Sequence, residues 1–191
     1  GETLMIQRSL KYILAALIVL AVILGGGFWY LKRPAPEPTF EQLTPANGAA
    51  MTRVIPGTTP KAQVLVAVTD DQKLNDKQLT ALSRSASALI VQVILPKDCL
   101  LQSRALQAGL RELKGPATLV SGIGPGAVLA WRWLSEQKND KAQAVSVGLA
   151  LEKPGGCTHL LPKSAAHGHW LVAWNDNPDD TSAGFVRDQP N

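Results

Sequence analysis

Ala117-Thr118-Leu119-Val120-Ser121, then Gly122-Ile123-Gly124-Pro125-Gly126, then Ala127-Val128-Leu129-Ala130-Trp131 constrain the fold of this chain more than any other stretch. A short β-type run meets five residues rich in glycine, and a helix-type run follows at once. A chain that turns from strand to helix so abruptly needs small side chains at the turn, because the helix starts against the strand it has just left. The spacing is that of the motif G-x-S-x-G, in which a strained central serine presents its hydroxyl above a sheet. Here Gly124 stands where the serine would be. A glycine offers no nucleophile.

The surrounding pattern says what kind of sheet carries this turn. Val64-Leu65-Val66-Ala67-Val68 and Leu89-Ile90-Val91-Gln92-Val93-Ile94-Leu95 are continuous apolar, β-branched runs, the mark of strands buried on both faces. Ala117–Ser121 is a third strand, Ala144–Leu151 a fourth and His169–Trp174 a fifth. Between them lie helical patterns. Asn75 caps one from Asp76 towards Ser85. Leu106, Leu110 and Leu113 mark a second over Leu100–Leu113, ended by Gly115-Pro116. A third leaves the glycine turn and runs to about Gln137. Strands alternating with helices predict an α/β fold: a parallel five-stranded sheet in the order 2-1-3-4-5, with helices on both faces. Together with the turn, this reads as an α/β-hydrolase-like domain over residues 62–191. Thr52-Arg53-Val54-Ile55 reads as an edge strand ahead of it.

The N-terminal end is different. Tyr12–Leu31 is a twenty-residue stretch without a charge, about 30 Å as a helix and so long enough to span a bilayer. Trp29 and Tyr30 sit at its end, where aromatic rings favour the interface. A cleaved signal peptide would have a shorter apolar core followed by small residues, for which Gly25-Gly26-Gly27 would serve. The span is the expectation here. It divides the chain into a tail (1–11), a transmembrane anchor (12–31), a proline-rich spacer with the edge strand (32–61) and the folded body. Arg33-Pro34-Ala35-Pro36-Glu37-Pro38 favours an extended, semi-rigid spacer. Flanking cations are balanced between the two ends. The short tail nevertheless favours an N-terminus inside the bacterial inner membrane and a body in the periplasm.

The net charge of +4 arises largely at the anchor. Arg8, Lys11, Lys32 and Arg33 flank it and suit anionic headgroups. Without them and Glu2, fifteen basic residues face fourteen acidic ones. Such a body has no electrostatic footprint for nucleic acid.

Other residues that could carry chemistry are few. Ser121 lies on the strand, not on the elbow. A glycine-rich helix N-terminus can bind an anion, but Pro125 removes a donor. Asp176 and Asp179, in Asn175-Asp176-Asn177-Pro178-Asp179-Asp180, follow the fifth strand, where the acid of a Ser…Asp…His series arises. They would be a vestigial acid, because no histidine follows them in this sequence. The same residues around a proline also make an ordinary turn. His159, His167 and His169 lack a further ligand at a defined spacing, so no metal site and no cofactor is expected. Trp131 and Trp133, two apart on a helix, cannot share a face. Trp170 and Trp174, four apart on a strand, do. Cys99 and Cys157, both in loop-like contexts, fit one disulfide in an exported domain.

The anchor, the proline spacer, Gly-Ile-Gly-Pro-Gly and Trp-Asn-Asp-Asn-Pro-Asp-Asp together resemble the N-terminal region of bacterial VirJ/AcvB-type virulence proteins, over about residues 5–191. The resemblance implies a place in periplasmic hydrolysis of aminoacylated phosphatidylglycerol. In that family the catalytic domain carries an intact G-x-S-x-G with Asp and His partners. No position here matches that serine, so no catalytic residue is carried over. The expected function is an anchored, non-catalytic accessory domain with an anionic lipid or envelope protein as partner. An esterase with unconventional residues and a structural subunit of an envelope complex are the alternatives.

Overall fold

The computed structural model of the chain describes residues 14–27, 36–149, 167–174 and 180–189. It separates into two compact units, Gly1–Ala35 and Pro36–Asn191. In the first, residues 14–27 form helix α1, and all fourteen are exposed. Among the described residues, no helix is long and apolar enough to cross a membrane. The predicted span Tyr12–Leu31 runs past both described ends of α1.

The second unit is built on one sheet of seven strands. These are β1 (Thr39–Gln42), β2 (Ala50–Ile55), β3 (Ala62–Val68), β4 (Ala88–Ile94), β5 (Leu119–Ile123), β6 (Gln143–Val147) and β7 (His169–Ala173), in spatial order β1-β2-β4-β3-β5-β6-β7. From β4 to β7 every pairing is parallel, in the order expected from the alternating pattern. The five-stranded, all-parallel expectation needs correction at the other side. β2 pairs antiparallel with both β1 and β4, so the sheet is mixed. Thr52–Ile55 belongs to an inner strand, not an edge. Met51 and Val54 are buried while the remaining β2 residues keep some exposure. The edge position falls to β1, a short polar Thr-Phe-Glu-Gln, the type of strand that protects an edge from further pairing.

Side-chain alternation along β3 and β4 divides the core in two. Val64, Val66, Val68 and Ile90 pack with Leu79 of α2 (Asp76–Ala86). Leu65, Ala67, Leu89, Val91 and Val93 pack with α3 (Cys99–Arg111) and α4 (Pro125–Ser135). Asn75 caps α2 through a reciprocal box with Gln78. The buried amide of Gln92 binds both the N–H and the C=O of Leu74, at 2.8 and 3.2 Å, so its oxygen and its nitrogen are each partnered. Arg53 fastens β2 to the end of α3, donating to the Glu112 carbonyl at 2.9 and 3.0 Å and to its carboxylate at 2.7 Å. Helix α5 (Asp180–Arg187) follows β7.

α4 is buried nearly all round, from Gly126 to Trp131 and again at Trp133 and Leu134. An apolar surface on every side is what a central helix requires. Trp131 and Trp133 therefore both enter the interior although they point to different sides. Trp131 meets Trp170 at 4.1 Å between ring centres and Phe185 edge-on at 5.6 Å. The Trp170 Nε1–H donates to Ser146 Oγ (2.9 Å), which donates to the Ala127 carbonyl (2.7 Å).

Candidate functional site

β5 extends two residues beyond the predicted third strand, so Gly122 and Ile123 are still extended and only Gly124 makes the turn. α4 begins directly at Pro125, a position that suits proline because the first helical N–H has no intrahelical partner. Gly124 has φ +60° and ψ −120°, a conformation open to glycine and strained for any other residue. Its N–H donates to the Val147 carbonyl at 3.0 Å, and its own carbonyl accepts from Ala127 N at 3.0 Å. The turn is thus pinned to β6 and closed on itself.

Gly122 and Gly126 explain how the helix starts so close. A Cβ on Gly122 would lie 1.8 Å from Gly126 O, and one on Gly126 would lie 2.1 Å from Ala67 O. Backbone meets backbone at both places. The elbow geometry is complete.

Three features remove the chemistry that such an elbow serves. First, position 124 has no side chain. The direction in which one would project is occupied by Gln72, whose Oε1 would lie 2.8 Å from a Cβ there. Secondly, acyl transfer at an elbow uses the N–H of the residue after the nucleophile as an oxyanion donor. That residue is Pro125, which has none. Thirdly, the other donor comes from the loop after β3. Here that loop is a single 3₁₀ turn, Asp70–Gln72, with two carboxylates. The Thr69 hydroxyl lies 2.6 Å from Asp71 Oδ1 and 3.0 Å from Gln72 Oε1. Asp70 is paired with Lys73 at 3.5 Å, and the Gln72 N–H is already given to the Thr69 carbonyl at 3.0 Å.

Sequence reasoning pointed to the glycine turn, and the structure sets the loop after β3 against it. That reasoning missed Gln72, whose role becomes visible only when the loop after β3 is placed against the turn. Ser121 lies within β5, paired in register with Val66 and Val145, and is no part of the turn. Asp176, Asp179, His159 and Cys157 lie outside the described residues. Cys99 opens α3 and is disulfide-bonded.

A histidine–carboxylate pair is present, but at the wrong end of the sheet. His167 Nδ1 lies 2.7 Å from Asp140 Oδ1. Asp140 precedes β6 and His167 precedes β7, whereas Gly124 follows the end of the parallel strand β5. A strand of five residues puts about 16 Å between the two ends. Proton transfer needs about 3 Å. His169 is exposed at the start of β7. Among the described residues, no group of three His, Cys, Asp or Glu could hold a metal ion.

An acylaminoacyl peptidase of Pyrococcus horikoshii matches with a TM-score of 0.53 at 14% identity, over 84% of this chain and 36% of its own. The fold is α/β-hydrolase-like. The Francisella virulence factor BioJ matches at a TM-score of 0.44 and 15% identity, over 76% of this chain and 53% of its own. An esterase of Mycobacterium tuberculosis matches at 0.45 and 19%, over 69% and 49%. The chain therefore spans between about a third and a half of the length of these structures. No family model and no curated protein matches the sequence.

Proposed function

We propose that this chain is a non-catalytic α/β-hydrolase-like domain that serves, from the periplasmic side of the bacterial inner membrane, the hydrolysis of aminoacylated phosphatidylglycerol by another catalytic centre. One observation carries the non-catalytic part: at the elbow, the nucleophile's place is glycine and the following oxyanion donor is proline, while the turn itself keeps its backbone geometry. The membrane attachment rests on the uncharged Tyr12–Leu31 stretch, and on a described helix exposing leucine, isoleucine and valine on all sides. Such a surface is unfavourable in water. The lipid class rests on the resemblance to VirJ/AcvB-type proteins.

The test is direct. The full chain in detergent is treated with a serine-reactive fluorophosphonate and assayed for release of amino acid from aminoacyl-phosphatidylglycerol. Neither labelling nor release is expected, and Gly124→Ser should not restore either, since its oxyanion donor is still absent. Stoichiometric labelling of the wild-type chain at Ser121 or any other serine, abolished by alanine there, would make this an esterase and overturn the reading.

A further inference from the structure

Away from the elbow, beyond β2 and β4, α3 carries Arg104, Gln107 and Arg111 on one exposed face. With Ser103 of the same helix and Asn47 of the β1–β2 turn they line an open cleft of about 280 Å³. Asn47 and Gly48 make a two-residue turn with φ of 52° and 77°, the conformation for which Asn-Gly is preferred. The turn is seated on Pro96 and Leu101. Asn47 is thus held on a rigid support opposite the helix.

The lining is all donors or neutral groups: two guanidinium forks, two carboxamides and a hydroxyl, with no carboxylate. That absence is unusual for this protein. Arg53 pairs with Glu41 and Glu112, Arg84 with Glu37, Arg132 with Glu136 and Arg187 with Asp188. Among the described arginines, only Arg104 and Arg111 have no carboxylate partner, and both open onto the same cleft. Arg132 Nη1, 3.4 Å from Ser103 Oγ, adds a third guanidinium at its border. Seven residues place Arg104 and Arg111 about 10.5 Å apart along the axis, so their long side chains can close on one group from both sides, over Gln107.

We propose that this cleft binds a phosphate group. Two guanidinium forks with amide and hydroxyl donors exceed what the two oxygens of a carboxylate can accept. They match the three or four oxygens of a phosphate, for which arginine's planar fork is suited. The group can belong to free phosphate or to a phospholipid headgroup, and the chemistry of recognition is shared.

The full chain in zwitterionic detergent is titrated calorimetrically with inorganic phosphate in one arm. In the other, the titrant is short-chain phosphatidylglycerol below its micelle-forming concentration. Saturable one-site binding is expected in at least one arm, and the arm in which it occurs identifies the source. Affinity should fall at least tenfold in Arg104→Gln/Arg111→Gln and fall with added salt. It should fall less in Arg104→Lys/Arg111→Lys, which keeps the charge and loses the fork. Lys77→Gln/Lys141→Gln, removing the same charge elsewhere on the exposed surface, should bind as wild type. All these sites are exposed, and unchanged melting checks that each variant is folded. No binding in either arm, a Gln variant within twofold of wild type, or an equal loss in the Lys77/Lys141 control would overturn the proposal.

Discussion

Gly122→Ala should destabilise the body severely, although it removes no contact and touches no functional group. The new methyl would lie 1.8 Å from Gly126 O, 2.1 Å from its carbonyl carbon and 2.7 Å from Ala127 N. These atoms are the first turn of α4 and cannot swing aside as a side chain would. Relief requires α4 to move outward from β5. A gap of even 0.5–1 Å forfeits about a quarter to a half of each dispersion contact it opens. α4 is the most buried helix described, with Ala127, Leu129, Ala130, Trp131 and Leu134 each at 1% exposure or less. Overpacking costs about 1–3 kcal/mol where neighbours can yield; with main chain as the neighbour, about 3 kcal/mol is expected. In a domain of this size that lowers Tm by roughly 6–12 °C. The assay is thermal unfolding of the full chain followed by circular dichroism, with Gly115→Ala as the comparison. Nothing lies within 4 Å of a Cβ at Gly115, so that change should leave stability unaltered or raise it by about 0.4–1 kcal/mol. A Gly122→Ala protein melting within about 1 °C of wild type would mean that α4 does not start against β5 as described, since that corresponds to well under 1 kcal/mol.

Three further outcomes are expected. Arg53→Met should cost about 1.5–3 kcal/mol in denaturant unfolding, because it strands the Glu112 carbonyl and carboxylate that the guanidinium now holds; an unchanged midpoint would remove the link between β2 and α3. Trp170→Phe should cost about 1 kcal/mol for the lost bond to Ser146, and should collapse the near-ultraviolet dichroism of the Trp131–Trp170 pair. Pairing of Cys99 with Cys157 would close a loop of nearly sixty residues. Reduction should then lower stability by about 2–4 kcal/mol, whereas thiol labelling of both cysteines in the native, unreduced chain would refute that pairing.

The parallel part of the sheet was legible because its strands are short, predominantly apolar and separated by periodic helices. Val64–Val68 and Leu89–Leu95 could be little else, and right-handed crossovers then left few orders to choose from. β1 and β2 were harder. Thr-Phe-Glu-Gln carries no apolar run, and only its pairing with β2 makes it a strand. The elbow was visible from three glycines and their flanks, but its boundaries were not: Gly122 and Ile123 look like turn residues and behave as strand because β6 pairs with them. Trp131 and Trp133 were read by helical spacing, which predicts faces and not the depth at which a helix sits. Gln72 carried no local signal, since its importance comes from a contact made across 52 positions of sequence.

Pro125 bears on what it would take to install a nucleophile at this turn. A serine at 124 gains nothing while proline follows it. Replacing proline first gains nothing while glycine precedes it, and either change leaves the His167–Asp140 pair at the other end of the strands. No single substitution on this route supplies both the nucleophile and the oxyanion donor. Gly122 and Gly126 meanwhile answer to packing alone. The outline of the turn is therefore set by main chain meeting main chain, and not by whatever side chain stands at its centre.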